Sequence, residues 1–303
     1  MAGQRPRVLV TGATGFVGGR LATELAERGH PVRCLVRDRR RASELERAGC
    51  ELHEGDLLAR ESLNGAGEGV EVAYYLVHSM GRGSGHSGFA ERERSAASSF
   101  AAMAREEGVG RVVYLGGLGD QPDSEHLASR AETAAVLSRE GPPVTWFRAG
   151  MVIGAQSEGY RALRYLVKRL PFMIAPAWLR NRTQPIAIDD VLAYLAQAAE
   201  RPESAGREIQ IGGPDVVTYA DLLALMADVL GVRRRPQVPV PLLTPWLSSL
   251  WIGLVTPVDA GVARPLVESL AVETIVTDPA GQELFDVEPT PALEALRRAE
   301  QHR

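Results

Sequence analysis

Two rhythms alternate through the first half of the chain. Short strand-like runs fall at 8–11, 32–36, 51–53, 72–76, 111–115 and 144–148, most of them apolar and β-branched enough for strands covered on both faces. Between them lie stretches with apolar residues at helical spacing, such as 20–28 and 89–107, where alanines and Phe100 form the apolar stripe. Strand and helix in strict alternation predict an α/β, doubly wound parallel sheet with helices on both faces. After about residue 155 the rhythm loosens. Helices are expected at 160–170, at 191–200 with Asp189 or Asp190 as cap, and at 219–230 with Thr218 as cap. Strand-like runs fall at 184–188 and 209–211. The division expected is 1–155 as a nucleotide-binding core and 156–303 as a mixed segment that returns to that core and forms a smaller C-terminal, substrate-facing lobe.

The first strand leads directly into glycines. VLVTGATGFVGGR at 8–20 places Gly12 at the tight exit from the strand, Gly15 where backbone must approach a ligand, and Gly18 where helix must pack close to strand. Amide groups along Gly12, Ala13, Thr14, Gly15, Phe16 and Val17 then point at an anion on the positive end of the helix dipole, the arrangement that grips a dinucleotide pyrophosphate. The second strand ends in Arg37. An acid there accepts from the ribose 2′-hydroxyl of NAD, whereas an arginine neutralises a 2′-phosphate, so NADP (NADPH) is the expected cofactor. A merely solvated charged loop is the competing reading, because Asp38 and Arg39, Arg40 and Arg41 follow.

Ligands of such sheets lie beyond the carboxyl ends of the strands, where strand order reverses. Asp56 is placed there to accept from an adenine amino group, with Leu57 against the ring, and it is equally able to cap the next helix. Leu76, Val77, His78 and Ser79 follow the fourth strand, and Gly116 and Gly117 end the fifth.

Composition narrows the partners. The chain has 303 residues, 45% hydrophobic and 24% charged, and a net charge of −4, so no nucleic-acid partner is expected despite short arginine runs. Cys34 and Cys50 and the lack of a signal peptide indicate a reducing, cytoplasmic setting with buried thiols, a redox pair being conceivable only if their strands are neighbours. The histidines and cysteines show no C-x-x-C or H-x-x-x-H spacing, so no metal is expected. The uncharged stretch 236–258 contains Trp246, Trp251 and five prolines, which exclude a spanning helix across a core of about 30 Å. A peripheral membrane contact through 236–258 is one reading of it. Covering a greasy cleft, or packing on the other lobe, is the preferred one. Oligomeric state is left open by the sequence.

TGATGFVG, Arg37, GDL at 55–57 and RAGMVIG at 148–154 resemble the Rossmann-type core of the atypical short-chain dehydrogenase/reductase superfamily, the branch with NAD(P)H-binding NmrA-like and complex I 39-kDa-subunit-like relatives. YYLVHSMG at 74–81, QPIAIDDVLAYL at 184–195 and WIGLVTPV at 251–258 resemble a bacterial subgroup of it. The resemblance implies an oxidoreductase. It also implies a tyrosine proton donor with a lysine four residues on, and here the chain departs: Lys168 is the only lysine, and Arg164 stands four residues before it.

At the corresponding helix after the fifth strand, His126 and Arg130 have that separation and share a helix face. Arg130 suits ribose hydroxyls or a substrate oxyanion but a guanidinium does not trade protons near neutral pH; His126 can donate one. Where the superfamily usually carries a serine after the fifth strand, this chain has Gly116, Gly117 and Leu118, leaving only backbone N–H groups there. His78, and Tyr75 or Tyr74 if the strand register turns one toward the cleft, are the other proton-transfer candidates. Trp146, Phe147, Met151, Phe172, Met173, Trp178, Trp246 and Trp251 suggest a hydrophobic small-molecule substrate. The expected function is reduction or oxidation of a hydrophobic carbonyl, quinone or enone; the alternative is a non-catalytic NADP(H)-binding sensor or assembly protein.

Overall fold

Val32–Val36 and Val8–Val10 are buried along their whole length, which is possible only for strands with neighbours on both edges and layers on both faces. The computed structural model describes residues 5–77, 88–119, 125–170, 173–234, 236–239 and 270–303. In chain order these form β1 (Val8–Val10), α1 (Phe16–Glu27), β2 (Val32–Val36), α2 (Ser43–Arg47), β3 (Glu51–Glu54), β4 (Val72–Tyr75), α3 (Phe89–Glu106), β5 (Arg111–Gly117), α4 (Glu125–Glu140) and β6 (Val144–Ala149). The second half contributes β7 (Val152–Ile153), α5 (Glu158–Arg169), β8 (Met173–Ala175), β9 (Arg182–Thr183), β10 (Ile186–Ala187), α6 (Ile188–Ala198), β11 (Glu208–Ile211), β12 (Val217–Thr218), α7 (Tyr219–Val229), β13 (Gln237–Pro239) and α8 (Ala292–Gln301).

The main sheet has seven parallel strands in the order β11-β6-β5-β4-β1-β2-β3. The expected α/β, doubly wound class therefore holds. Strand order reverses between β1 and β4, where Val8, Leu9 and Val10 lie opposite Val72, Ala73 and Tyr74. Two apolar layers cover the sheet. One packs Leu21, Leu25, Val191 and Leu195 of α1 and α6 on one face; the other packs Phe100, Ala97 and Leu137 of α3 and α4 on the opposite face. A third cluster joins α5, α7 and α8 through Leu163, Leu222 and Leu296. Both β11 and α6 come from beyond residue 155, so the second half completes the sheet's edge and the α1 layer as well as forming its own cluster.

Local signals fared unevenly. Thr218 caps α7 in a reciprocal box with Asp221, as expected. Asp189 and Asp190 do not cap α6: the helix starts earlier, behind Ala187, and both acids fall in its first turn. Asp190 instead accepts from the backbone and hydroxyl of Thr290 at 2.7 and 3.0 Å, tying α6 to the segment before α8. The strand expected at 184–188 shrinks to β10: the Gln184 backbone amide donates to the Thr274 carbonyl at 2.8 Å, Pro185 has no N–H to give, and Ile188 already opens α6. Cys34 and Cys50 are buried, free thiols. They are in side-chain hydrogen-bond contact, which with burial raises the Cys34 thiol above its ordinary range. No helix among the described residues is long and apolar enough to cross a membrane. Of the stretch 236–258, Gln237–Pro239 form β13 beside β8, and 240–258 lies outside the described residues.

Candidate functional site

The crevice at the β1/β4 reversal is closed by one hydroxyl. Thr11 donates to the Tyr74 carbonyl from both its amide and its Oγ1, each at 2.9 Å, and that Oγ1 accepts from the Leu76 amide at 3.2 Å. The loops leaving the two strands are thereby held backbone to backbone. Gly12 sits in the left-handed region at φ 66°, and a Cβ on it would stand 2.5 Å from the Leu76 carbonyl oxygen. A Cβ on Gly18 would stand 2.3 Å from the Gly12 carbonyl oxygen.

Beyond this turn α1 opens at Gly15 with no side-chain cap and no acid in its first turn. Its leading amide groups thus have no intrahelical acceptor, and the positive end of the dipole faces the crevice. Gly15 and Thr14 are exposed beside it. A bare cradle lined with N–H donors fits a pyrophosphate, so Gly12, Ala13, Thr14, Gly15, Phe16 and Val17 are brought to one place with Leu76 and Val77 at its rim. The side chains of Ala13 and Leu76 are buried in the core, which leaves their backbone for a ligand. Gly154, which the sequence reading did not single out, lies under the Phe16 ring, where a Cβ would come within 2.5 Å of Cζ; Arg20 covers the ring at 5.0 Å.

At the end of β2, Arg37 is exposed and makes no ion pair among the described residues. Asp38 is engaged. It caps the following 3-10 turn through the Arg40 amide and forms a fork with the Arg40 guanidinium, three contacts of 3.0 Å each. The Arg40 side chain, then its amide, hold the carboxyl below its ordinary range. Asp56 accepts from the Leu58 amide at 3.0 Å, the capping role expected as compatible with adenine binding. Leu57 requires correction: its side chain is buried with Leu9, Leu35 and Leu63, so it is not open to a ring. Leu58, at 53% exposure, is the apolar side chain standing in solvent there.

The tyrosines require a second correction. Tyr75 is only 2% exposed, with its ring 5.0 Å from Phe100 and 6.0 Å from Tyr114. It belongs to the layer beneath α3, and burial raises its phenol above the ordinary range. Tyr74 faces the opposite layer and donates to the Leu195 carbonyl at 2.9 Å. Neither phenol opens on the crevice, so the register condition set for them is not met. His78 lies outside the described residues, as does the side chain of His126, although its backbone belongs to α4.

Gly116 is also not an open cofactor contact. The Trp146 indole covers it so closely that a Cβ would lie 2.6 Å from Nε1. Next to it, the Arg130 side chain lies over Gly117, with Nη1 3.7 Å and Cδ 3.9 Å from where a Cβ would be. Tyr114 donates to the Arg130 carbonyl at 3.1 Å and fixes that turn of α4. Arg148, which opens the RAGMVIG stretch and was not singled out from the sequence, ties down the end of β5. Its Nε donates to the Gly117 carbonyl at 3.2 Å and its Nη2 to the Gly119 carbonyl at 3.0 Å, while Nη1 pairs with Glu208 at 2.7 Å. The guanidinium also lies over Trp146, 5.2 Å from the ring. Of the aromatic groups expected to line a greasy cleft, Phe147 packs on Tyr194 and Phe285 in the core, and Trp178 packs on Tyr219. Phe172, Trp246 and Trp251 lie outside the described residues, as does the Met173 side chain.

A parallel sheet with an uncapped, glycine-lined first helix at its order reversal defines a Rossmann-type dinucleotide-binding fold. The chain belongs to the NmrA-like family, whose model matches residues 4–256. It is 24% identical over 314 residues to NADH dehydrogenase [ubiquinone] 1 alpha subcomplex subunit 9, mitochondrial, of Rattus norvegicus, covering 97% of this chain and 80% of that one. It is 28% identical over 234 residues to the (4-alkanoyl-5-oxo-2,5-dihydrofuran-3-yl)methyl phosphate reductase of Streptomyces griseus, covering 75% of each. In fold it is similar to Citrobacter sp. triphenylmethane reductase complexed with NADP(H), at a TM-score of 0.75 and 19% identity over 96% of this chain and 99% of that one.

Proposed function

We propose that the protein is an NADP(H)-dependent oxidoreductase acting on a hydrophobic carbonyl, quinone or enone-type small molecule without the usual Tyr-Lys pair. The observation that carries it is the uncapped mouth of α1, held close behind the β1 turn by glycines whose Cβ would strike backbone, Gly12 at 2.5 Å from the Leu76 carbonyl oxygen and Gly18 at 2.3 Å from that of Gly12. The reductases among its relatives support the same reading.

In this reading the α1 amides hold the pyrophosphate and Arg37 neutralises the 2′-phosphate. The remaining oxygen of Asp56 accepts from the adenine amino group. The bound nicotinamide supplies or receives hydride, the hard chemistry. The chain orients the acceptor against it and controls charge through Arg130, with His126 and His78 as the groups able to move a proton.

A second reading is a non-catalytic NADP(H)-binding sensor or assembly protein. It is favoured by the burial of Tyr74 and Tyr75 and by the Trp146 indole closing over Gly116 at the end of β5, where the chain carries no hydroxyl. One experiment separates them. Calorimetric NADPH binding followed by substrate-dependent loss of NADPH absorbance with quinones, enones or ketones supports the enzyme; binding with no consumption across the panel supports the sensor; no binding of any nicotinamide coenzyme removes both.

A further inference from the structure

The guanidinium of Arg130 is half-buried, and its Nε is fully buried without a hydrogen-bond partner. Among the described residues it has no carboxylate. Other arginines have acceptors for their charge: Arg148 is held by Glu208 and two carbonyls, Arg94 by Glu132, and Arg111, whose Nε is likewise without a partner, by the carbonyls of Ala198 and Ala199 through Nη2. A charge withdrawn from water without a counter-ion costs stability unless a ligand brings one. Arg130 stands over Gly117, at the carboxyl end of β5, the edge of the sheet where ligands of this architecture bind.

We infer that Arg130 is the counter-charge for the oxygen of the hydride acceptor, and that the acceptors are quinones and conjugated carbonyls whose reduction yields a phenolate or an enolate. This rests on the coenzyme reading above. The class follows from what an arginine can and cannot do. It stabilises negative charge through several N–H groups and keeps its protons. A saturated ketone becomes a strongly basic alkoxide, which needs a proton as it forms. A quinone or enone becomes a delocalised oxyanion, which needs only a cation beside it.

The described phenols nearby do not compete for the role: Tyr74, Tyr75 and Tyr114 are buried in the two layers of the sheet. A hydroxyl at position 116 has no room beside Trp146. Electrons and atoms balance as follows. Two electrons and one proton reach the acceptor as hydride; its oxygen gains one negative charge and the coenzyme ring one positive charge; water supplies the second proton after the product leaves Arg130.

The test uses 4-nitrophenol, whose phenolate absorbs apart from the phenol and copies the product's charge. The whole protein, saturated with NADP, is titrated near pH 6, and NADPH affinity is measured separately by fluorescence. The parent should bind the phenolate form and raise its ionised fraction. Arg130→Lys should keep that effect, and Arg130→Gln should weaken phenolate binding roughly tenfold, with NADPH affinity within about twofold in all three. Equal phenolate binding by parent and Arg130→Gln overturns the inference, as does a parent that binds NADPH but no phenolate. A collapse of NADPH affinity in Arg130→Gln overturns it too, by placing the guanidinium on the coenzyme. Loss of NADPH binding by the parent itself strikes the coenzyme reading instead.

Discussion

Arg40 holds Asp38 by a closed fork, Nε to Oδ1 and Nη2 to Oδ2, both at 3.0 Å. The acid that would accept from a ribose hydroxyl is thereby turned onto its own loop, and Arg37 is the charge left facing outward beyond β2. Arg37→Ala should weaken NADPH binding by roughly tenfold or more and NADH binding by less than about threefold. Arg40→Ala, which frees Asp38 from its cation, should narrow the NADPH preference from the other side. Paired titrations with the two coenzymes check this; equal losses for both would show that the 2′-phosphate is held elsewhere.

The cradle glycines separate by role. Gly15 is exposed, and a Cβ there meets only the Gly12 carbonyl oxygen at 3.0 Å, so Gly15→Ala should reduce coenzyme affinity roughly tenfold while leaving the melting temperature within a few degrees. Gly18 is buried against the Gly12 backbone. Gly18→Ala should lower both, by about 2 kcal/mol in stability. A Gly18→Ala protein with unchanged melting temperature would contradict the close packing of α1 on the turn.

Trp146 and Gly116 should be coupled. Gly116→Ser adds a hydroxyl at the end of β5 and drives its Cβ into the indole, at a cost of about 1–3 kcal/mol. In a Trp146→Ala background the same serine should cost less by about 1 kcal/mol. Chemical denaturation of the four proteins measures the coupling. Identical costs in both backgrounds would mean that the indole does not occupy this space.

Burial raises the phenols of Tyr74, Tyr75 and Tyr114 above their ordinary range. Folding therefore favours their neutral form. Their contribution is complete below the unfolded value of about 10 and is lost as pH climbs from there toward the folded values. Stability should fall above about pH 10 with a slope near 1.4 kcal/mol per pH unit for each phenol. Tyr75→Phe should remove one such increment and leave turnover near neutral pH unchanged, as a core residue requires. Melting curves from pH 8 to 11 read the first, and a rate lost in Tyr75→Phe would return the phenol to the cleft.

Much of the architecture was legible because its signals are local. Short, mostly apolar runs announced the strands of the sheet, and GATGFVG announced the cradle, since a tight exit, a bare approach and a close helix each require glycine within a few residues. Thr218 was legible for the same reason: a cap and its partner lie within one turn. Asp190 misled because its true partner, Thr290, is a hundred positions away, and no periodicity reports such a distance.

What the chain by itself determined was the order of elements, the α/β layering and the place where a phosphate can sit. What only the tertiary structure decided was direction. Alternation along the strand puts Tyr74 and Tyr75 on opposite faces, but in a strand buried on both faces the apolar pattern carries no record of which phenol takes which layer, and that was decided only by α6 covering one and α3 the other. The same holds at the end of β5. That Gly116 is filled by an indole and Gly117 lies beneath a guanidinium depends on β6 and α4 folding across it, since empty space beside a glycine belongs to whichever distant side chain reaches it first.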